Sequence, residues 1–145
     1  MTAAHTTHGR LLRIGDVYTM RFDGTGSEQS GWRPGVIFQN NAGNLHSPNL
    51  IVLPLTSSLK KLDMPTHVLL HAYDTGLSRD SVVICENPQR LSKDKLGRYI
   101  TTLSLHYLRK IAVASLIATS AIAFLDLPAL LEAWETAVRL NKSIA

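Results

Sequence analysis

Residues 15 to 40 read GDVYTMRFDGTGSEQSGWRPGVIFQN. Val17 to Phe22 reads as a strand, and the glycines at 24, 26 and 31 mark a loop whose residues tolerate unusual backbone angles. Pro34 to Gln39 is a second strand, apolar on both faces and therefore buried. Pro34 stands at its start, where a missing N–H does least harm. Arg33 sits at the foot of that buried strand, and Gln39 and Asn40 at its far end. A cation so constrained suits a phosphodiester. Glu28 and Gln29 in the loop offer groups that hydrogen-bond to bases.

Working outward, Asn40 to Asn44 reads as a turn. Leu50 to Leu55, Thr66 to His71 and Ser81 to Glu86 read as further strands. Short strands with turn signals between them argue for a mainly β (α+β) fold built on a small barrel or strongly curled sheet. Ser92 reads as the cap of a short turn leading to Leu96. From Ser104 the pattern becomes helical towards Phe124. Asp126 and Pro128 mark a new start, after which Leu127, Leu130, Leu131, Trp134 and Val138 recur at helical spacing on one face. That last helix, about 128–141, is expected to pack on the helix before it.

The 145 residues form one domain, 11–145, behind a flexible tail at 1–10. The formal charge of +4 permits an anionic partner without demanding one. Lys60-Lys61, Lys93-Lys95-Arg98 and Arg109-Lys110 read as solvated faces. Cys85 is the single cysteine, which excludes a disulfide framework and fits a reducing, cytoplasmic setting. His5 and His8 lack a third ligand nearby, so neither a metal nor another cofactor is expected. The apolar run from Ile111 to Leu127 is too short and too interrupted to span a bilayer and reads as a core or interface helix.

Arg33 has two readings from the residues alone, a phosphate ligand or the partner of Glu28 or Asp23 in a surface ion pair. Here the chain resembles the MazF/PemK (Kid) toxins of bacterial toxin–antitoxin systems. The similarity runs in order through GDVY at 15–18, GSEQSGWRPGVIFQN at 26–40, GNLHSPNLIVLPLTS at 43–57, PTHV at 65–68, GLSRDSVVICEN at 76–87 and KDKL at 93–96. The resemblance implies an SH3-like β-barrel with C-terminal helices, a homodimer, and a metal-independent, sequence-specific endoribonuclease cutting single-stranded RNA. It also implies silencing by a cognate antitoxin, which in this family tends to be acidic and disordered until bound. Its catalytic pair, the Arg of the RP step and the Thr of PLTS, falls on Arg33 and Thr56.

Cleavage of this kind uses the ribose 2′-hydroxyl as nucleophile and leaves a 2′,3′-cyclic phosphate and a 5′-hydroxyl. A guanidinium fork matches the charge that develops on phosphorus, and one preorganised donor of this sort is worth about 3–4 kcal/mol. Guanidinium is a poor general base, so Arg33 is assigned charge stabilisation and Thr56 a hydrogen bond to the phosphate or the 2′-oxygen. Gln29, Gln39, Asn40 and Asn87 offer amides, and Glu28, Ser57 and Arg90 further polar contacts, for reading RNA. Phe22 and Trp32 offer stacking surfaces. The histidines, including His67, read as structural.

Two departures from the pattern stand out: Gln89 holds the usual Arg position and Ser92 the usual Asp position. The family continues Glu-Gln-Ile-Arg-Thr-Ile-Asp where this chain has Glu86-Asn87-Pro88-Gln89-Arg90-Leu91-Ser92. Either a bulge restores Arg90 to the Arg position, or a basic contact is lost. A non-cleaving RNA- or antitoxin-binding member is therefore one alternative. A gyrase-poisoning toxin of the same fold is another, disfavoured because such relatives rely on a terminal Trp and Trp134 is not terminal.

Overall fold

The computed structural model describes residues 9–23 and 31–142. Glu28, Gln29, His5 and His8 lie outside them. Strands β1 (Asp16–Phe22), β2 (Gly31–Ile37), β3 (Asn49–Thr56), β4 (His67–Leu70), β5 (Ser81–Ile84), β6 (Gln89–Ser92) and β7 (Leu96–Thr102) make a single antiparallel sheet. Its order is β4-β5-β3-β2-β1-β7, with β6 joined to β3. Helices α1 (Asn41–His46), α2 (Ala72–Thr75), α3 (Leu105–Ala118) and α4 (Leu127–Asn141) complete the chain.

The sheet curls because β1 and β3 each feed two cores. Tyr18, Met20, Phe22, Ile37, Leu50, Val52 and Leu91 pack inside the curl. Val17, Val36, Leu53, Leu55 and Val83 face the other way and meet Tyr107 and Ile111 of α3. Each side chain of this size contributes about 1.5–3 kcal/mol on full burial. Register shifts between β1 and β7 at Val17/Tyr18 and Tyr18/Met20 supply the extra twist. Gly35 is required at the tightest point of the curl: a Cβ there would lie 2.6 Å from Met20 Sδ and 3.0 Å from Phe22 Cζ.

Asp16, fully buried, ties the first strand to the last. It accepts from Thr102 Oγ1 at 2.7 Å, from the Arg13 N–H at 3.0 Å and from Arg10 Nη2 at 3.3 Å. Arg10 in turn stacks 3.8 Å above the Tyr99 ring.

Several sequence expectations are corrected. The segment 40–44 is not a simple turn but opens α1, because the Asn40 side chain accepts the Gly43 N–H at 2.8 Å and caps a helix. Gln89–Ser92 and Leu96–Thr102 are strands, although their polar residues hid the pattern. Phe22 is 2% exposed and packs in the core, so it offers no stacking face to a base. Helix α3 stops at Ala118; Ser120 adopts a left-handed conformation and a short 3-10 turn follows at Ala121–Phe124. Helix α4 starts where Asp126 accepts the Ala129 N–H, but it rests on α1 through a bond from the Asn41 N–H to Asn141 Oδ1 at 2.8 Å. Its stripe of Leu127, Leu131 and Trp134 is exposed, and none of its residues is buried.

Candidate active site

Arg33 belongs to β2 and pairs with Met20 of β1. On its other side β2 pairs with β3 through Gly35↔Pro54, Val36↔Leu53 and Ile37↔Val52. The pairing ends at Gly35↔Pro54; counted two residues further, position 33 falls in register with position 56, and residues 52, 54 and 56 of β3 alternate onto one face. That face is the one carrying Met20, Ile37 and Val52, at the open end of the curl. Arg33 is half-buried, and its Nε is buried with no hydrogen-bond partner among the described residues. Of the two expected ion-pair partners, Asp23 is taken by Lys95, and Glu28 lies outside the described residues. Trp32, beside Arg33, is 56% exposed and open to a stacked base.

Thr56 ends β3, where the strand has already turned to pair with β5 through Thr56↔Val82. Its Oγ1 accepts the Ser58 N–H at 3.1 Å, which fixes the hydroxyl's position and leaves its proton free to donate. Beside it opens a cleft of about 300 Å³ lined by Lys60, Lys61, Met64, His67 and Glu86. The two lysines, read from sequence as a solvated face, therefore place positive charge next to the Thr56 hydroxyl.

His67 and Glu86 form the floor of that cleft. His67 Nε2 lies 2.9 Å from Glu86 Oε2, and Nδ1 lies 3.0 Å from the Lys61 carbonyl oxygen. Thr66 Oγ1 donates to Glu86 Oε1 at 2.9 Å. Burial works to raise the Glu86 carboxyl. The hydrogen bonds from His67, its own backbone and Thr66, with the His67 charge, outweigh burial and hold the group below its ordinary value. Both imidazole nitrogens have partners within the fold, which orients the ring as part of the cleft wall.

The other RNA-reading residues divide. Ser57 follows Thr56 and is exposed. Asn87 follows Glu86, and its N–H closes a turn onto the Ile84 carbonyl at 3.3 Å. Gln39 lies about 20 Å along the strand from Arg33 at a strand's rise per residue. Its amide is held by Asn44 Oδ1 and the Asn49 carbonyl. Asn40 is the helix cap. Neither is brought to Arg33.

Strand β6 pairs Val52↔Gln89, Ile51↔Arg90 and Leu50↔Leu91 without a bulge. Gln89 therefore shares the face of Val52, Thr56 and Arg33, while Arg90 points to the opposite, exposed side beside Ile51. The bulge that would restore Arg90 does not form.

Residues 13–117 match the profile of the PemK-like, MazF-like toxins of type II toxin–antitoxin systems. The chain belongs to this family. It is 41% identical over 95 residues to the endoribonuclease MazF of Staphylococcus saprophyticus, covering 65% of this chain and 79% of that one. Among solved structures it is similar to the Mycobacterium tuberculosis toxin MazF-mt6, with 27% identity and a TM-score of 0.62 over 72% of this chain and 96% of that one. A mycobacterial endoribonuclease solved in complex with its cognate antitoxin is 28% identical, with a TM-score of 0.60 over 75% and 95% of the two chains. The family match stops at Ile117, so α4 lies outside it. Among the described residues no helix is long and apolar enough to cross a membrane.

Proposed function

We propose that this toxin is an endoribonuclease that cleaves single-stranded RNA through Arg33 and Thr56, with no metal taking part. The observation that carries the reading is the half-buried guanidinium of Arg33, its Nε unsatisfied among the described residues, on the strand whose register, continued two residues, leads to Thr56. A buried donor without an acceptor is costly, by about 1–3 kcal/mol, and a phosphate oxygen would relieve it.

In this mechanism the scissile phosphate lies between the two strands. The ribose 2′-oxygen attacks phosphorus in line as the bond to the 5′-oxygen breaks, leaving a 2′,3′-cyclic phosphate and a 5′-hydroxyl. Arg33 stabilises the charge gathering on the phosphoryl oxygens, and Thr56 donates to one of them or to the 2′-oxygen. Lys60 and Lys61 hold the strand electrostatically, and Trp32 stacks an unpaired base. The protein acts as a cytoplasmic homodimer, and an acidic antitoxin silences it by occupying the same cationic groove.

A second reading, an RNA- or antitoxin-binding member without cleavage, is favoured by one observation: Gln89 brings no charge to the face where the family places an Arg. Incubation with a single-stranded RNA pool and mapping of the ends separates the two. Cleavage should survive chelators and stop when the 2′-hydroxyl at the cut is removed. Arg33→Ala should abolish it with circular dichroism unchanged; a variant cutting at the wild-type rate overturns the assignment.

A further inference from the structure

A second cationic cleft, of about 460 Å³, opens on the other face of β2, where that strand pairs with β1. Its walls carry Arg79 from the α2–β5 connection and Arg98 from β7, with Thr19, Ser78 and Ser81 between them and Pro34 at its edge. Both arginines are exposed, and neither guanidinium hydrogen-bonds or ion-pairs with a described residue. No carboxylate lines the cleft among the described residues.

The walls are fixed, although the guanidinium groups are free. Gly76, at φ 81, turns the chain out of α2 into the Ser78-Arg79 segment, a conformation that favours glycine. The Ser81 hydroxyl then donates to the Arg79 carbonyl at 3.1 Å. Across the cleft the Arg98 N–H donates to Thr19 Oγ1 at 2.7 Å. The chain closes in there because residue 97 is glycine: a Cβ would stand 2.3 Å from Thr19 Oγ1. Two free guanidinium forks on anchored backbone, with neighbouring hydroxyls and no competing acid, form an oxyanion receptor of the kind that takes phosphate.

We propose that this cleft binds a backbone phosphate of the RNA strand beyond the scissile linkage, acting as a positioning subsite. Pro34 links the two sites: it lines the cleft, and its neighbour Arg33 faces the scissile position. Arg33 and Pro34 are consecutive on β2 and so alternate between its two faces, which puts the cleft and the scissile position back to back across one strand. The inference rests on the nuclease reading, and it assigns no chemistry to either arginine.

The test uses a fluorescein-labelled, mixed-sequence 2′-deoxy oligonucleotide, which binds without being cut, titrated by anisotropy over a range of KCl concentrations. The Arg79→Ala/Arg98→Ala protein should lower the slope of log affinity against log salt by about 0.7–1.4, one to two neutralised phosphates. Lysine at both positions should restore most of the slope. Arg109→Ala/Lys110→Ala, which removes equal charge from α3, should leave it unchanged. An unaltered slope in the cleft variant, or an equal fall in the α3 control, overturns the subsite. So does displacement of the oligonucleotide by inorganic phosphate beyond the effect of ionic strength, which would mark a small-anion site. Cleavage of the RNA pool by the wild-type protein is measured in parallel. Cleavage with an unaltered slope removes the subsite alone, whereas neither binding nor cleavage removes the nuclease reading and the subsite with it.

Discussion

Nε2 of His67 lies 2.9 Å from Oε2 of Glu86, and the pair closes the cleft beside Thr56. Because the folded Glu86 carboxyl sits below its ordinary value, the folded protein holds the proton there less tightly than the unfolded chain does. Its contribution to stability is therefore complete above the unfolded value, about 4.3, and is lost as pH falls through the lower, folded value. Urea melts between pH 3 and 6 should show stability dropping with acid in the wild-type protein. In Glu86→Gln that part of the slope should vanish. A variant with an unchanged acid limb would show that the pair is not coupled to folding.

The engagement of both His67 nitrogens predicts a kinetic result as well. His67→Gln should lower activity modestly, by disturbing the floor under Thr56, and should leave the shape of the pH–rate profile intact. Loss of the acidic limb in that variant would instead make His67 the proton acceptor.

Gln89 and Arg90 give opposite predictions although they are adjacent. Gln89→Arg puts a guanidinium on the face shared with Thr56, and should steepen the salt dependence of oligonucleotide binding by about 0.7, one added phosphate contact. Arg90→Ala removes a charge from the far side and should leave cleavage within about twofold, since surface changes away from a site have small effects. Anisotropy titrations and end-labelled RNA cleavage check the two. A large loss in Arg90→Ala would mean that the β3–β6 register slips in solution.

How far the sequence discloses this molecule follows from where its information sits. Strands β1 to β5 were legible because Val, Ile and Leu cluster between turn residues, and α4 because Asp126 and Pro128 announce it. Strands β6 and β7 were not, since QRLS and LGRYITT owe their extended form to pairing with β3 and β1. The apolar stripe of α4 was legible, but its packing was not: the helix meets α1 through Asn141 instead of laying that stripe on α3. Arg33 stood out through its place before Pro34. The proposed pairing with Thr56 rests on the family pattern and on continuing the strand register beyond Gly35↔Pro54. Lys60, Lys61, Arg79 and Arg98 are spread over the chain, and only topology gathers them into clefts.

Cys85 is 2% exposed, and burial pushes its thiol up to about 11, with the Glu86 charge adding. The thiolate is the reactive form, so a disulfide reagent at pH 8 should modify the native protein far more slowly than the urea-unfolded chain. Rapid labelling of the native protein would show that the core behind β5 opens readily.

Helix α4 lies outside the family match and buries none of its residues, so it should contribute little to folding. Removing residues 127–145 exposes the Asn41 N–H, which loses the Asn141 acceptor but gains water in return. The expected cost is that of one hydrogen bond, about 0.5–1.5 kcal/mol, because Asn41 keeps its own Oδ1 bonds to the Ile14 N–H and Asn44 Nδ2. Thermal melts of the truncated chain should therefore remain cooperative, and RNA cleavage should persist. Asn141→Ala in the full-length chain should reproduce most of that small shift. Collapse of the truncated protein would show that the exposed Leu127, Leu131 and Trp134 stripe is covered in solution and that its covering holds the barrel together.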